Sequence, residues 1–217
     1  MMKSIPRIAL AAALAAALAC AAAPALAHPH VFIVAKTDVI FEGGKVAAIR
    51  HVWTFDDMYS SFAVQGLAKK GQLATRETFA PLAKENAGSL AETGYYTVLK
   101  SNGKQLEFGE VTDYWMEEGA DHLVRFGVTL PLKEPAGAGK AMSVQVYDPE
   151  YFIDFQFDAK SPPTMIDNPP GCSIGLSRPD AVSVDDSKKL SESFFSGLSP
   201  GSGYGLKLAS RALVACP

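Results

Sequence analysis

The sequence predicts a mainly β fold: an antiparallel β-sandwich or partly open barrel with a two-helix insertion between its second and third strands. Three observations carry that expectation. Apolar residues alternate with a period of two in successive short runs, and Gly43-Gly44 and Asn102-Gly103 are dipeptides of the hairpin type. In one interval, 57–92, the period lengthens to that of a helix. At 217 residues, 48% hydrophobic and 20% charged, the chain can bury a core, which excludes a disordered or collagen-like polymer. Lys and Arg number 20 against 23 Asp and Glu, without a basic cluster, so a nucleic-acid partner is not expected.

Residues 1–27 stand apart from the fold. Lys3 and Arg7 precede an Ala/Leu run over 8–23 that closes on Ala25-Leu26-Ala27, the pattern of a secretory signal peptide. The run falls short of the roughly 20 residues that a spanning helix requires. Cleavage between Ala27 and His28 would deliver the chain to a periplasm, touching membranes peripherally and not integrally. A lipid anchor on Cys20 is the lesser reading, because Ala17 stands where a lipobox normally has Leu. Cleavage removes two basic residues and no acids, leaving a net charge of −5 on 190 residues. Cys172 and Cys216 remain as a pair, and in an oxidising compartment they are expected to form one disulfide. A redox site is disfavoured by the lack of C-x-x-C spacing.

The mature chain reads in order as follows. Val31, Ile33, Ala35, Thr37, Val39 and Phe41 share one face of a strand. Glu42-Gly43-Gly44-Lys45 turns the chain, and 46–55 returns antiparallel. Helical spacing of Met58, Phe62, Gln65 and Leu67, then of Phe79, Leu82, Ala83 and Leu90, predicts helices over about 57–69 and 75–90, with Thr75-x-x-Thr78 as a start signal. Residues 95–101 and 104–116 flank Asn102-Gly103 as a second hairpin. Further strands follow over 121–130, 142–146 and 151–157. The stretch 161–217 is rich in Pro, Gly and Ser and reads as a lightly packed tail tied back by the disulfide, with a short helix near 186–195. The expected organisation is thus a signal peptide, 1–27, a β-rich domain, 28–160, with its helical insertion at 57–92, and the tail, 161–217.

Chemistry is most readily placed at the processed N-terminus. A chain beginning His28-Pro29-His30 offers an amine and an imidazole on one residue and a second imidazole two positions on. Neutral nitrogen donors suit Ni, Co, Zn or Cu better than Ca or Mg. Pro29 has no amide proton to lose, which closes the chelation mode that runs through deprotonated backbone amides. Further ligands must then come from the fold. An uninterrupted hairpin register sets Phe32 opposite Phe55 and His30 opposite Asp57, so the expected metal site is His28, His30 and Asp57 with Asp56 as neighbour. The same register puts His51 opposite Lys36, about 20 Å along the strand, which leaves it out. The rival readings are plain: histidines at a frayed end, and Asp56-Asp57 as a helix cap. His51, on a strand face with Ile49 and Trp53, reads as a packed structural histidine, and His122 as the start of another apolar face. No enzyme is expected. Gly197-Leu198-Ser199-Pro200-Gly201 matches G-x-S-x-G, but Pro200 lacks the N–H that an oxyanion hole requires. Gly201-Ser202-Gly203-Tyr204-Gly205 lacks the spacing of a dinucleotide loop. Glu117-Glu118 and Asp185-Asp186 read as solvated pairs.

Taken together, His28-Pro29-His30-Val31-Phe32 after a signal and Arg50-His51-Val52-Trp53-Thr54-Phe55-Asp56-Asp57-Met58-Tyr59-Ser60 resemble the bacterial periplasmic family called domain of unknown function 1007. Gln65-Gly66-Leu67, Phe79-Ala80-Pro81-Leu82-Ala83, Gly94-Tyr95-Tyr96, Asp113-Tyr114-Trp115, Tyr147-Asp148-Pro149-Glu150-Tyr151-Phe152 and Cys216-Pro217 extend the likeness over nearly the whole mature chain. The resemblance implies a periplasmic component of an ABC-type transport system, associated with nickel, cobalt or zinc permeases and exporters. A calcium-type loop known in similar members is not expected, because Lys69-Lys70-Gly71-Gln72-Leu73 carries no carboxylate. The leading expectation is an accessory protein that binds a transition-metal ion at its N-terminus and serves a membrane metal permease or exporter. The alternative is a metal-free module docking on such a permease through Asp148, Tyr151 and Phe152, although Asp148-Pro149 is also an ordinary turn signal.

Overall fold

In a computed structural model the described residues are 30–69, 71–139, 141–177 and 204–217. The expected signal peptide with Cys20, His28, the short helix near 186–195, Asp185-Asp186 and the G-x-S-x-G match lie outside them.

Strands β1 (Val31–Glu42) and β2 (Lys45–Phe55) form the expected hairpin. Gly43 and Gly44 both take positive φ, 57° and 79°, as a type I′ turn requires. The register departs from the uninterrupted one. Phe41 pairs with Val46, but Ile40 pairs with Ala48, so Ala47 is the extra residue of a β-bulge. The cause is legible in the side chains. Val46 and Ile49 are both fully buried, and two residues three positions apart can share a strand face only if one between them is extruded. Every later pair shifts by one. Ile33, not Phe32, stands opposite Phe55, and His51 faces Thr37 rather than Lys36. The expected pairing of His30 with Asp57 falls with that register: Phe32 and Asp56 are the partners, with the Asp56 N–H on the Phe32 carbonyl at 3.0 Å.

Two sheets face each other across one core, as the sandwich reading expects, and they do not close into a barrel. The first runs β5 (Asp113–Glu118), β6 (Val124–Ala136), β2, β1 and β8 (Ile153–Phe157), and β9 (Thr164–Ile166) continues along the same edge of β1. β8 and β9 run parallel to β1, so this sheet is mixed. The second runs β10 (Ser173–Ser177), β11 (Arg211–Ala215), β7 (Met142–Val146), β3 (Thr97–Ser101) and β4 (Lys104–Gln105), all antiparallel. Asn102 and Gly103 take the left-handed φ values of the predicted turn, 48° and 82°. The second arm is much shorter than the expected 104–116. β3 offers five residues for pairing, and after β4 the chain crosses to the first sheet as β5, where Met116 pairs with Phe126 in the core.

The helical interval is present but tighter than expected. α1 spans Asp57–Ala63 and α2 spans Arg76–Ser89, followed by a 3-10 segment, Leu90–Tyr96. The left-handed Gly66, φ 78°, lies just beyond the end of α1. The Thr75-x-x-Thr78 signal is a working capping box in which each side chain accepts the other's backbone N–H. α2 buries Phe79, Ala83 and Ala87, spaced by four, and packs on β5. The stretch from 161 supplies three strands and is less of a loose tail than its composition suggests. β11 lies between β10 and β7 with Ala212 and Val214 fully buried. The Cys172–Cys216 disulfide closes the ladder one pair beyond Ser173 and Ala215. A short α3 (Tyr204–Leu208) leads into β11.

At the centre of the sandwich is His51, with no exposed surface. The Thr97 hydroxyl donates to the Tyr95 carbonyl at 2.9 Å and therefore accepts from His51 Nε2–H at 3.2 Å. Nδ1 is then the acceptor, taking the Thr37 hydroxyl proton at 2.9 Å. Thr37 belongs to the first sheet and Thr97 to the second, so one neutral imidazole joins the two. Burial pushes its pKa down to about 3, and the charge of Asp38 only partly opposes the shift.

Because the folded pKa lies below the ordinary value of 6.5, the unfolded chain takes up the proton first as pH falls, and stability is lost between 6.5 and 3. Between pH 7.5 and 4.5 this one group is expected to remove about 2.5 kcal/mol, and urea titrations of wild type and His51→Leu should differ in pH slope by that amount. Cys172→Ser is expected to cost about 4 kcal/mol by releasing the loop that the disulfide closes, read from the same titrations at neutral pH.

Candidate functional site

The segments around His30-Val31-Phe32, Asp56-Asp57 and Tyr147–Phe152 meet at one end of the sandwich, where β1 begins, β2 ends and β7 passes into β8. Asp56 organises the first half of this end. It leaves β2 in an extended conformation and N-caps α1, its Oδ1 accepting from the Tyr59 N–H at 2.8 Å. Its Oδ2 accepts from the Phe32 N–H at 2.7 Å. Both carboxylate oxygens are thus engaged by backbone amides, and one side chain ties β1, β2 and α1 together. Asp57 is exposed in the first turn of α1, with Oδ1 on the Met58 N–H at 3.0 Å.

Asp148 organises the second half. It is 7% exposed, and its carboxylate accepts the N–H groups of Glu150, Phe152 and Ile153, each at 3.0 Å. This is the turn reading of Asp148-Pro149, realised with three backbone amides and not one. In this turn Tyr151 is held at a left-handed φ of 56° and is half-buried, and Phe152 is 46% exposed. Any side chain at Gly205 would collide with the Asp148 carbonyl, so α3 reaches this turn only because it presents a glycine.

His30 joins the halves. Its N–H donates to the Phe152 carbonyl at 2.9 Å, and its ring lies 4.6 Å from the Phe152 ring. Behind it, Gly94, Tyr95 and Tyr96 take positive φ in succession, 63°, 59° and 46°. The Tyr96 carbonyl accepts from Tyr147 N–H at 2.9 Å, and its ring packs on Trp53 and Phe155. Burial, reinforced by the Asp148 and Glu150 charges, raises the Tyr96 pKa. The anchoring that these tertiary contacts supply offsets the backbone strain.

Of the expected metal residues, the structure brings His30, Asp56 and Asp57 to this one end, with Asp56 committed to the backbone, and His28 lies outside the described residues. Among the described residues no group of three or more His, Cys, Asp or Glu has a metal-holding arrangement. His51 is the packed histidine expected of it. His122, exposed at φ 61°, is no strand residue and instead bonds Glu118 through Nδ1 at 2.8 Å. Sequence reasoning missed the outward face of α1. Met58 and Phe62, which the sequence marks only by their helical spacing, are 68% and 72% exposed, whereas Ser60 is buried on the opposite side. Spacing of four marks a face without saying which way it looks.

Asp56→Ala should destabilise by about 2–3 kcal/mol, since it orphans two amides and a cap, while Asp57→Ala should change stability by less than about 0.5 kcal/mol. Urea unfolding of the two single variants checks the contrast.

A family model described as "Protein of unknown function (DUF1007)" matches residues 13–216. An uncharacterized protein of Haemophilus influenzae is 27% identical over 139 residues, which is 63% of this chain and 66% of that protein, just under two thirds of its length.

Proposed function

The chain belongs to the DUF1007 family of proteins of unknown function, and from that premise we propose that it is an exported accessory protein of a transition-metal transport system, binding one Ni, Co, Zn or Cu ion at its processed N-terminus. It binds and hands on its ion; it is not an enzyme. The observation that carries this reading is the anchoring of His30. A histidine two residues from the proposed cleavage point has its backbone bonded to Phe152 and its ring against Phe152, at the end of the sandwich where Asp57 is exposed. From there, two residues of chain reach back about 7 Å, enough for the amine and imidazole of His28 to share an ion with His30.

The donor chemistry narrows the set. Two imidazoles, a free amine and one carboxylate suit a late first-row ion. Asp57 is the carboxylate in this reading. Asp56 acts as a positioning residue, because ligating a metal would require it to release two backbone amides. The disulfide and the signal-like segment 1–27 support the periplasmic location.

The test is the intact mass of protein exported by a bacterial host, repeated under native conditions with Cu, Ni, Co and Zn. The expected result is a chain starting at His28 that retains one ion, which is lost in His28→Ala and weakened at least about tenfold in His30→Ala. A different terminus, or a protein that retains no ion, overturns the reading.

A further inference from the structure

Large apolar side chains stand exposed around the same end. Met58 and Phe62 project from successive turns of α1, Phe32 is 51% exposed at the start of β1, and Phe152 is exposed just before β8. Phe32 and Phe152 belong to neighbouring paired segments, and α1 follows directly from Asp56, whose N–H and carboxylate both bond the Phe32 backbone. Asp56 caps the helix of Met58 and bonds the Phe32 amide, and His30, two residues before Phe32, contacts Phe152. Scattered apolar residues are ordinary on a surface, but a connected group rimmed by polar ones marks an interaction site. Its border is acidic. Asp57 and Glu150 are exposed, and Asp154 pairs with Phe32 across the β1–β8 ladder. Lys36 lies on the same face of β1 as Phe32, about 13 Å further along the strand.

We propose that this rim docks a basic, amphipathic polypeptide segment of a partner protein. The charge decides among possible occupants. A second copy would set acid against acid, and anionic lipid headgroups would meet both the acidic border and the net charge of −5 left on residues 28–217. A segment with an apolar stripe and flanking Lys or Arg satisfies both features of the rim. Met58 is suited to it, since a flexible thioether adapts to a partner's shape. The inference does not depend on the metal reading.

The experiment uses the mature, disulfide-intact protein stripped of metal with EDTA, so that loss of the metal site cannot decide it. The probes are a fluorescent helical peptide with a Leu face and Lys flanks and its twin with Glu for Lys. The Lys peptide is expected to bind, the Glu twin to bind at least about tenfold more weakly, and the Met58→Ser/Phe62→Ser double variant to lose about tenfold in affinity for the Lys peptide. Leu213→Ser, at an exposed apolar residue on the second sheet, should leave binding unchanged, and unaltered melting curves establish that the variants fold. Equal binding of the two peptides, or wild-type affinity in the double variant, overturns the proposal. So does either alternative occupant: co-sedimentation with phosphatidylglycerol vesicles, or concentration-dependent dimerisation, abolished by the double substitution.

Discussion

One buried imidazole couples the two halves of the core. The sheets meet chiefly through apolar contact, which is non-directional and tolerates sliding. The chain of hydrogen bonds from Thr37 through His51 to Thr97 and on to the Tyr95 carbonyl is directional, and it spans both sheets. Each group in it has its partner, so the cost of burying polar atoms is met, and displacement of either sheet would leave a buried donor or acceptor unpaired. The bulge at Ala47 is what brings His51 opposite Thr37. The relay ends at Tyr95, inside the left-handed run of Gly94, Tyr95 and Tyr96, so the interior and the motif-bearing end are joined through one residue.

That end is built by carboxylates acting on the backbone. Asp56 gathers β1, β2 and α1, and Asp148 gathers the loop that feeds β8. An ionised carboxylate can accept several amide hydrogens at once and makes stronger bonds than a neutral acceptor. One residue thereby replaces the hydrogen bonds that strands lose where they end. Such anchoring gives the segment at His30 and Phe152 a defined place although it lies at the margin of the fold.

The consequence for function is a division of labour among neighbouring residues of similar chemistry. Asp56 and Asp148 are spent on structure; Asp57 and Glu150 are exposed. Likewise Phe55 and Phe155 fill the core, while Phe32, Phe62 and Phe152 face outward. The His30 imidazole, exposed acids and exposed apolar side chains therefore share one rim. On the proposed reading, an ion and a docked partner would share this rim.

Much of this was written locally. Gly43-Gly44 and Asn102-Gly103 declared their turns because few residues accept two left-handed φ values in succession, and the alternation in β1 declared its inner face. The capping box of α2, the pairing of Cys172 with Cys216 and the packed role of His51 were legible for similar reasons: each depends on residue type and near neighbours. Other features were decided only in three dimensions. The bulge at Ala47 answers to which of Val46 and Ile49 the opposite sheet must cover. The outward turn of Met58 and Phe62 depends on α1 burying Ser60, whose hydroxyl accepts the Val124 N–H at 2.9 Å from a strand far along the chain. The insertion of β11 beside β7 and the crossing of the chain after β4 depend on pairings between distant segments. Local sequence determines which conformations a segment can hold and which residues are apolar. The competition of distant segments for one core, with every buried amide needing a partner, decides which face turns inward and what is left at the surface to bind.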